Sequence, residues 1–159
     1  MKTNRNATSR ILSFLLAAAM LVAYPAWAGD QVPFRGTAEG ATISASPVPG
    51  GIELTVQANG HATQLGQFSR HEVVLFDPVA GTLTGTIVFT AANGDQLSGI
   101  VVGGFVSPGT ATGTYTFTGG TGRFANASGV AAFTLATPDG AQFSVTFEGT
   151  LSSVGSNKK

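Results

Sequence analysis

Apolar and polar residues alternate with a period of two through most of the chain after residue 30, the pattern of strands with one buried face. The alternation is cleanest near the end. There Phe143, Val145, Phe147 and Leu151 fall on one side, and Gln142, Ser144, Thr146, Glu148 and Thr150 on the other. Ile52, Leu54, Val56 and Ala58 alternate with Glu53, Thr55 and Gln57, and Leu83, Ile87 and Phe89 with Thr82, Thr84 and Thr86. From Thr110 to Thr118 threonine takes every second position while Ala111, Tyr115 and Phe117 share the opposite face. Val73 to Phe76 is apolar on both faces, which predicts a strand covered on both sides or a strand end tucked under a loop.

Turn chemistry separates these runs. Ala92-Asn93-Gly94-Asp95, Ser107-Pro108-Gly109 and Thr137-Pro138-Asp139-Gly140 carry the residues that tight turns between antiparallel strands require. Asp30 to Gly51, with Pro33, Pro47 and Pro49, predicts one early strand mixed with loop. About eight strands at spacings of about ten residues suggest a sandwich or a closed barrel. Gly85, Gly99 and Gly113 inside strands suit the bends of closure. The expected fold is all-β, a single closed antiparallel barrel of about eight strands over residues 29–159.

The N-terminus changes the picture of where this barrel works. Lys2, Arg5 and Arg10 precede an apolar run at 11–23 that is short for a membrane span, and Pro25 is followed by small residues at Ala26 and Ala28. Residues 1–28 are therefore expected to form a signal-peptide helix, removed on export to a periplasmic or extracellular location. No membrane association is expected after its cleavage. The chain has no cysteine, which excludes disulfides, thiolate catalysis and cysteine-ligated zinc. Three of its eight basic residues lie in the leader, leaving Arg35, Arg70, Arg123, Lys158 and Lys159 scattered against eight acidic ones, and nucleic acid is not an expected partner.

Thr118 to Gly129, TGGTGRFANASG, resembles the glycine-rich segment of the allene oxide cyclase and dirigent barrel superfamily, through Gly119, Gly120, Thr121, Gly122, Phe124, Ala127 and Gly129. The run from about His61 to Ser152 is similar to the bacterial secreted barrels grouped with that superfamily. The resemblance implies an eight-stranded barrel with an apolar central cavity. It carries over no catalytic residue, and the shared motif is structural. The overlapping Gly120-x-Gly122-x-x-Ala125 does not mark a dinucleotide site, because no helical apolar period follows it.

Candidate chemistry is sparse. Tyr115 is the polar-tipped residue on an otherwise apolar face, and its hydroxyl could orient a ligand or move a proton. His71, between Arg70 and Glu72, is the second catalytic candidate, although a lone strand histidine is more often a surface residue. His61 and His71 are not at metal-ligand spacing, and neither a metal nor a cofactor is expected. Phe89, Tyr115, Phe117, Phe133, Phe143 and Phe147 would line an interior cavity or fill a core. Arg123, in the motif turn, and Glu148 are the remaining ionisable groups of interest.

The expected function is binding of a small apolar molecule inside an exported barrel, monomeric or a homo-oligomer such as a dimer. The alternatives are a cofactor-free cyclase or isomerase of the allene oxide cyclase type, and a non-catalytic structural or surface-interaction protein. An outward threonine array that orders water or contacts ice or carbohydrate would belong to the last class. An enzyme needs an ionisable group facing the cavity, a binder needs the cavity alone, and a structural barrel needs neither.

Overall fold

A computed structural model describes residues 30–152; the expected leader at 1–28 lies outside the described residues. Eight strands follow one another: β1 (Gln31–Val48), β2 (Gly51–Ala62), β3 (Gly66–Asp77), β4 (Thr82–Ala91), β5 (Gln96–Ser107), β6 (Thr110–Gly120), β7 (Gly129–Ala136) and β8 (Gln142–Ser152). Each pairs antiparallel with the next, and β1 pairs with β8 to close the barrel. Closure leaves no continuous free edge, and the period-two patterns place their apolar positions inside.

The hairpin turns form where the sequence supplies left-handed conformers. Gly94, Gly109 and Gly140 have φ of 86°, 73° and 73°. In the last of these turns Asp139 Oδ1 accepts from the backbone N–H groups of Gln142 at 2.8 Å and Ala141 at 3.0 Å. Those bonds hold its carboxyl below the ordinary carboxylate value.

Two expectations are corrected. Asp30 to Gly51 is not strand mixed with loop: β1 runs unbroken for 18 residues, with a bulge between Thr42 and Ser44. Its prolines are tolerated because each sits where β1 has a neighbour on one side only. Pro33 precedes the pairing with β2, which starts at Gly36, and Pro47 lies beyond the pairing with β8, which stops at Ala41. Nor is the segment 73–76 covered on both sides. Val74 is buried inside, while Val73 and Leu75 are half-buried on the outer wall, flanked across β4 by Thr86 and Thr84.

The two ends of the barrel differ. At one end Phe34, Phe68, Phe89, Phe117 and Phe147 fill the cross-section. Phe34 meets Phe117 edge-on at 5.1 Å and stacks on Phe147 at 5.3 Å, and Phe68 meets Phe89 at 5.1 Å. Such pairs add to the burial of apolar area itself. The connection from β6 to β7 then closes this end. A single 3-10 turn at Gly122–Phe124 delivers a fully buried Phe124 into the core, alongside buried Leu65 and Ala127. The glycine-rich motif is thus the stopper of the barrel.

That stopper is fastened from both sides. The Thr121 N–H donates to Gln96 O at 2.8 Å, and the Gln96 N–H donates to Thr121 Oγ1 at 3.0 Å. The Ser128 N–H donates to Ser152 Oγ at 3.0 Å. Gly122 has φ of 55°, and a Cβ there would run into the Asp95 carboxylate. Gly122→Val is therefore expected to cost about 1–3 kcal/mol in urea unfolding, through a strained backbone and a displaced Asp95. A loss below a few tenths of a kcal/mol would show that the turn relaxes freely.

Candidate functional site

At the opposite end the aromatic packing stops and a cavity of about 290 Å³ opens. Its walls are apolar, with Val56 of β2, Val74 of β3, Val101 of β5 and Leu135 of β7 among them. Gly103 and Gly113 face each other across β5 and β6 and leave room for the Phe133 ring, which a Cβ on either would strike. Phe76 and Phe105, edge to face at 5.5 Å, stand at the mouth. The β1–β2 hairpin projects past the end of β8 and forms one lip.

Three ionisable side chains, Arg70, Glu72 and Tyr115, line the cavity just above the phenylalanine floor, and Thr42 and Thr137 are the other polar residues of its lining. Arg70 and Glu72, two apart on β3, both point inward and are 3% and 5% exposed. Arg70 Nη2 lies 2.6 Å from Glu72 Oε1, an ion contact not aligned as a hydrogen bond. The guanidinium carbon sits 5.3 Å from the centre of the Tyr115 ring and 5.6 Å from that of Phe143. Tyr115 is fully buried on β6 and stacks on Phe133 at 4.6 Å. Arg70 Nε, Arg70 Nη1 and Tyr115 Oη have no hydrogen-bond partner among the described residues.

Burial and neighbouring charge act on both Arg70 and Tyr115. Burial opposes the charge on Arg70, but Glu72 and then Tyr115 outweigh it, and its guanidinium is held above its ordinary value. Burial is also the largest influence on Tyr115 and pushes its phenol well above the ordinary 10.0; Arg70 pulls the other way without prevailing. The site thus presents a guanidinium cation in contact with Glu72 and a neutral hydroxyl.

A consequence appears at high pH. The unfolded chain ionises its tyrosine near 10.0 while folded Tyr115 stays protonated, so this contribution to stability is complete below pH 10.0 and is lost as pH rises beyond it. In a chain starting at Gly29, Tyr115 is the single tyrosine and no tryptophan remains. Its phenolate absorbance is expected to rise only together with unfolding, and Tyr115→Phe to flatten the alkaline loss of stability. Phenolate absorbance near pH 10.0 with intact circular dichroism would show that the hydroxyl reaches solvent.

The sequence candidates separate clearly. Tyr115, Phe133 and Phe143 line the cavity. Phe89, Phe117 and Phe147 do not: they belong to the packed floor, one layer nearer the closed end. His71 is exposed on the outer wall, because it alternates with Arg70 and Glu72, and it cannot reach an interior ligand. The strand period that put His71 outside placed its two neighbours inside; a continuous inward row of Phe68, Arg70, Glu72 and Val74 was the available signal. Gly119, Gly120, Thr121, Gly122 and Phe124 form the stopper, away from the cavity. Arg123 contacts Asp95 at 3.7 Å on the rim of the closed end, and Glu148 is exposed.

Elsewhere a broader groove of about 990 Å³ lies near His61, but it is more open to solvent and mixes polar residues such as Glu39, Asn59 and Gln67 with apolar ones. The inner cavity is smaller, less open to solvent and largely apolar, which is the character of small-molecule sites. Among the described residues no group of three histidine, cysteine, aspartate or glutamate side chains is placed to hold a metal ion.

No family profile matches the chain, and no curated protein matches it either. Among solved structures, a pterocarpan synthase dirigent protein matches with a TM-score of 0.60 at 12% identity, over 95% of this chain and 98% of the other. Correspondence over nearly the whole of both chains at so low an identity is a likeness of backbone, and it shows that this chain folds as a dirigent-like, eight-stranded antiparallel barrel.

Proposed function

We propose that this protein binds a small, largely apolar molecule in the interior of its barrel, after export to a periplasmic or extracellular location. The largely apolar cavity of about 290 Å³ at the open end of the barrel carries the reading. Ligand sites span about 300–1,000 Å³, so the occupant is small, on the order of one or two rings. Burial supplies the affinity, and the phenylalanine floor limits how deep the ligand goes. The export part of the proposal rests on the basic, apolar and small-residue order of residues 1–28.

The ionisable groups inside the cavity favour a second reading, a cofactor-free cyclase or isomerase such as the allene oxide cyclase resemblance implies. Arg70 and Tyr115 would donate to an oxygen on which charge develops, Glu72 would be the group able to take a proton, and the walls would restrict the substrate's conformation. His71 has no part in it.

Native mass spectrometry of the protein from its own host's exported fraction tests both. A bound small mass that disappears on denaturation supports interior binding and supplies the compound to assay for turnover. A clean apo mass that persists after incubation with apolar probes would overturn it in favour of a barrel acting through its outer surface.

A further inference from the structure

The polar atoms at the cavity base specify the chemistry of an occupant more narrowly than size and hydrophobicity do. Arg70 Nε, Arg70 Nη1, Tyr115 Oη and Glu72 Oε1 are buried without a hydrogen-bond partner among the described residues, and of these only Glu72 Oε1 is engaged, by its ion contact with Arg70 Nη2. A guanidinium only donates hydrogen bonds, and a phenol held protonated offers its O–H, so the group that completes this cluster is an acceptor. Buried donors left unpaired are costly, and pairing them rewards a ligand beyond its apolar area.

Charge narrows the class further. Arg70, Glu72 and Tyr115 are the ionisable side chains among the residues lining the cavity, and the ion contact of 2.6 Å already cancels the guanidinium charge. A carboxylate or phosphate would add an uncompensated negative charge beside Glu72 in an apolar chamber, which is expensive. A neutral oxygen adds none. The stacked rings of Tyr115 and Phe133 and the nearby Phe143 ring make part of the wall flat and aromatic.

Resting on the interior-binding reading above, we infer that the occupant is a small, neutral, flat apolar molecule with one carbonyl-type oxygen that accepts hydrogen bonds from Arg70 and Tyr115, with Glu72 holding the guanidinium and cancelling its charge. A ketone on an aromatic ring system is the simplest representative.

The test is calorimetric titration of the purified protein with three probes of one shape: 2-acetylnaphthalene, 2-ethylnaphthalene and 2-naphthoate. The ketone is expected to bind about tenfold or more tightly than the hydrocarbon, as one or two hydrogen bonds to buried donors allow. It is also expected to bind more tightly than the carboxylate and to shift the Arg70 Nε–Hε resonance. In Tyr115→Phe and in the charge-free double variant Arg70→Met/Glu72→Leu the ketone-to-hydrocarbon affinity ratio should fall, and with all three substitutions combined it should fall to about one. Equal binding of ketone and hydrocarbon to the unmodified protein would overturn this inference while leaving interior binding standing. Tightest binding of the carboxylate would overturn the requirement for a neutral ligand. Failure of all three to bind would overturn the interior-binding reading and this inference with it.

Discussion

Arg70→Met is expected to destabilise the barrel by about 3–5 kcal/mol, a large part of an ordinary domain's stability. The substitution keeps an unbranched side chain of similar reach but leaves the Glu72 carboxyl, 5% exposed, without its counter-ion. It also removes the cation from beside the Tyr115 and Phe143 rings. Arg70→Met/Glu72→Leu should recover most of that loss, because two apolar residues of similar volume avoid the desolvation of both charges. Urea unfolding of the two variants separates the effects. A single variant as stable as the parent would mean that Glu72 reaches water and that the pair is not a buried one. If the double variant matches or exceeds the parent in stability, the pair is retained at no benefit to the fold, which fits its assignment to ligand binding.

The second large effect is expected at the closed end. Phe124→Ala should cost about 3–5 kcal/mol, the range for deleting a buried aromatic ring. Phe124 is fully buried beside Leu65, and the connection that carries it is pinned to Gln96 and Ser152 by backbone and side-chain bonds that prevent collapse into the space left behind. Phe124→Leu should recover much of the loss, since it refills most of that volume. Thermal unfolding of the pair checks this. A near-neutral Phe124→Ala would show that the motif's ring is dispensable and that the five-phenylalanine layer seals the barrel by itself.

These two sites differ in how visible they were in the sequence. The stopper announced itself as a motif, with Phe124 as an apolar residue among glycines, although nothing local showed that it turns back into the barrel. The strands of the last hairpin and the Thr110–Thr118 face were legible because alternation and turn residues agree there. β1 was obscured by prolines, whose tolerance depends on which neighbours flank each end of the strand, a property of barrel closure rather than of local sequence.

The cavity was legible as a set of inward aromatic residues but not as a volume. Phe117 and Phe133 both point inward from adjacent strands, yet Phe117 packs the floor and Phe133 lines the space above it. Their heights along the barrel axis follow from the register between β6 and β7, where Phe133 lies opposite Gly113 and Phe117 opposite Gly129. Arg70 and Glu72 were hidden by the ordinary preference of charged residues for solvent, which made His71 the more attractive candidate although alternation separates it from them.

The outer wall frames the decisive comparison. β4 to β7 carry no charged residue, and Ile100, Val102 and Val130 are each about half exposed there, so an apolar probe has an exterior surface available as well as the cavity. The measurement that separates them is the set of intermolecular nuclear Overhauser effects from bound 2-acetylnaphthalene to methyl groups of the protein. Contacts to Leu54, Val56 and Val74, in slow or intermediate exchange at one molecule per barrel, are the expected result. Contacts confined to Ile100, Val102 and Val130 would contradict interior binding and place the work of this protein on its outer wall.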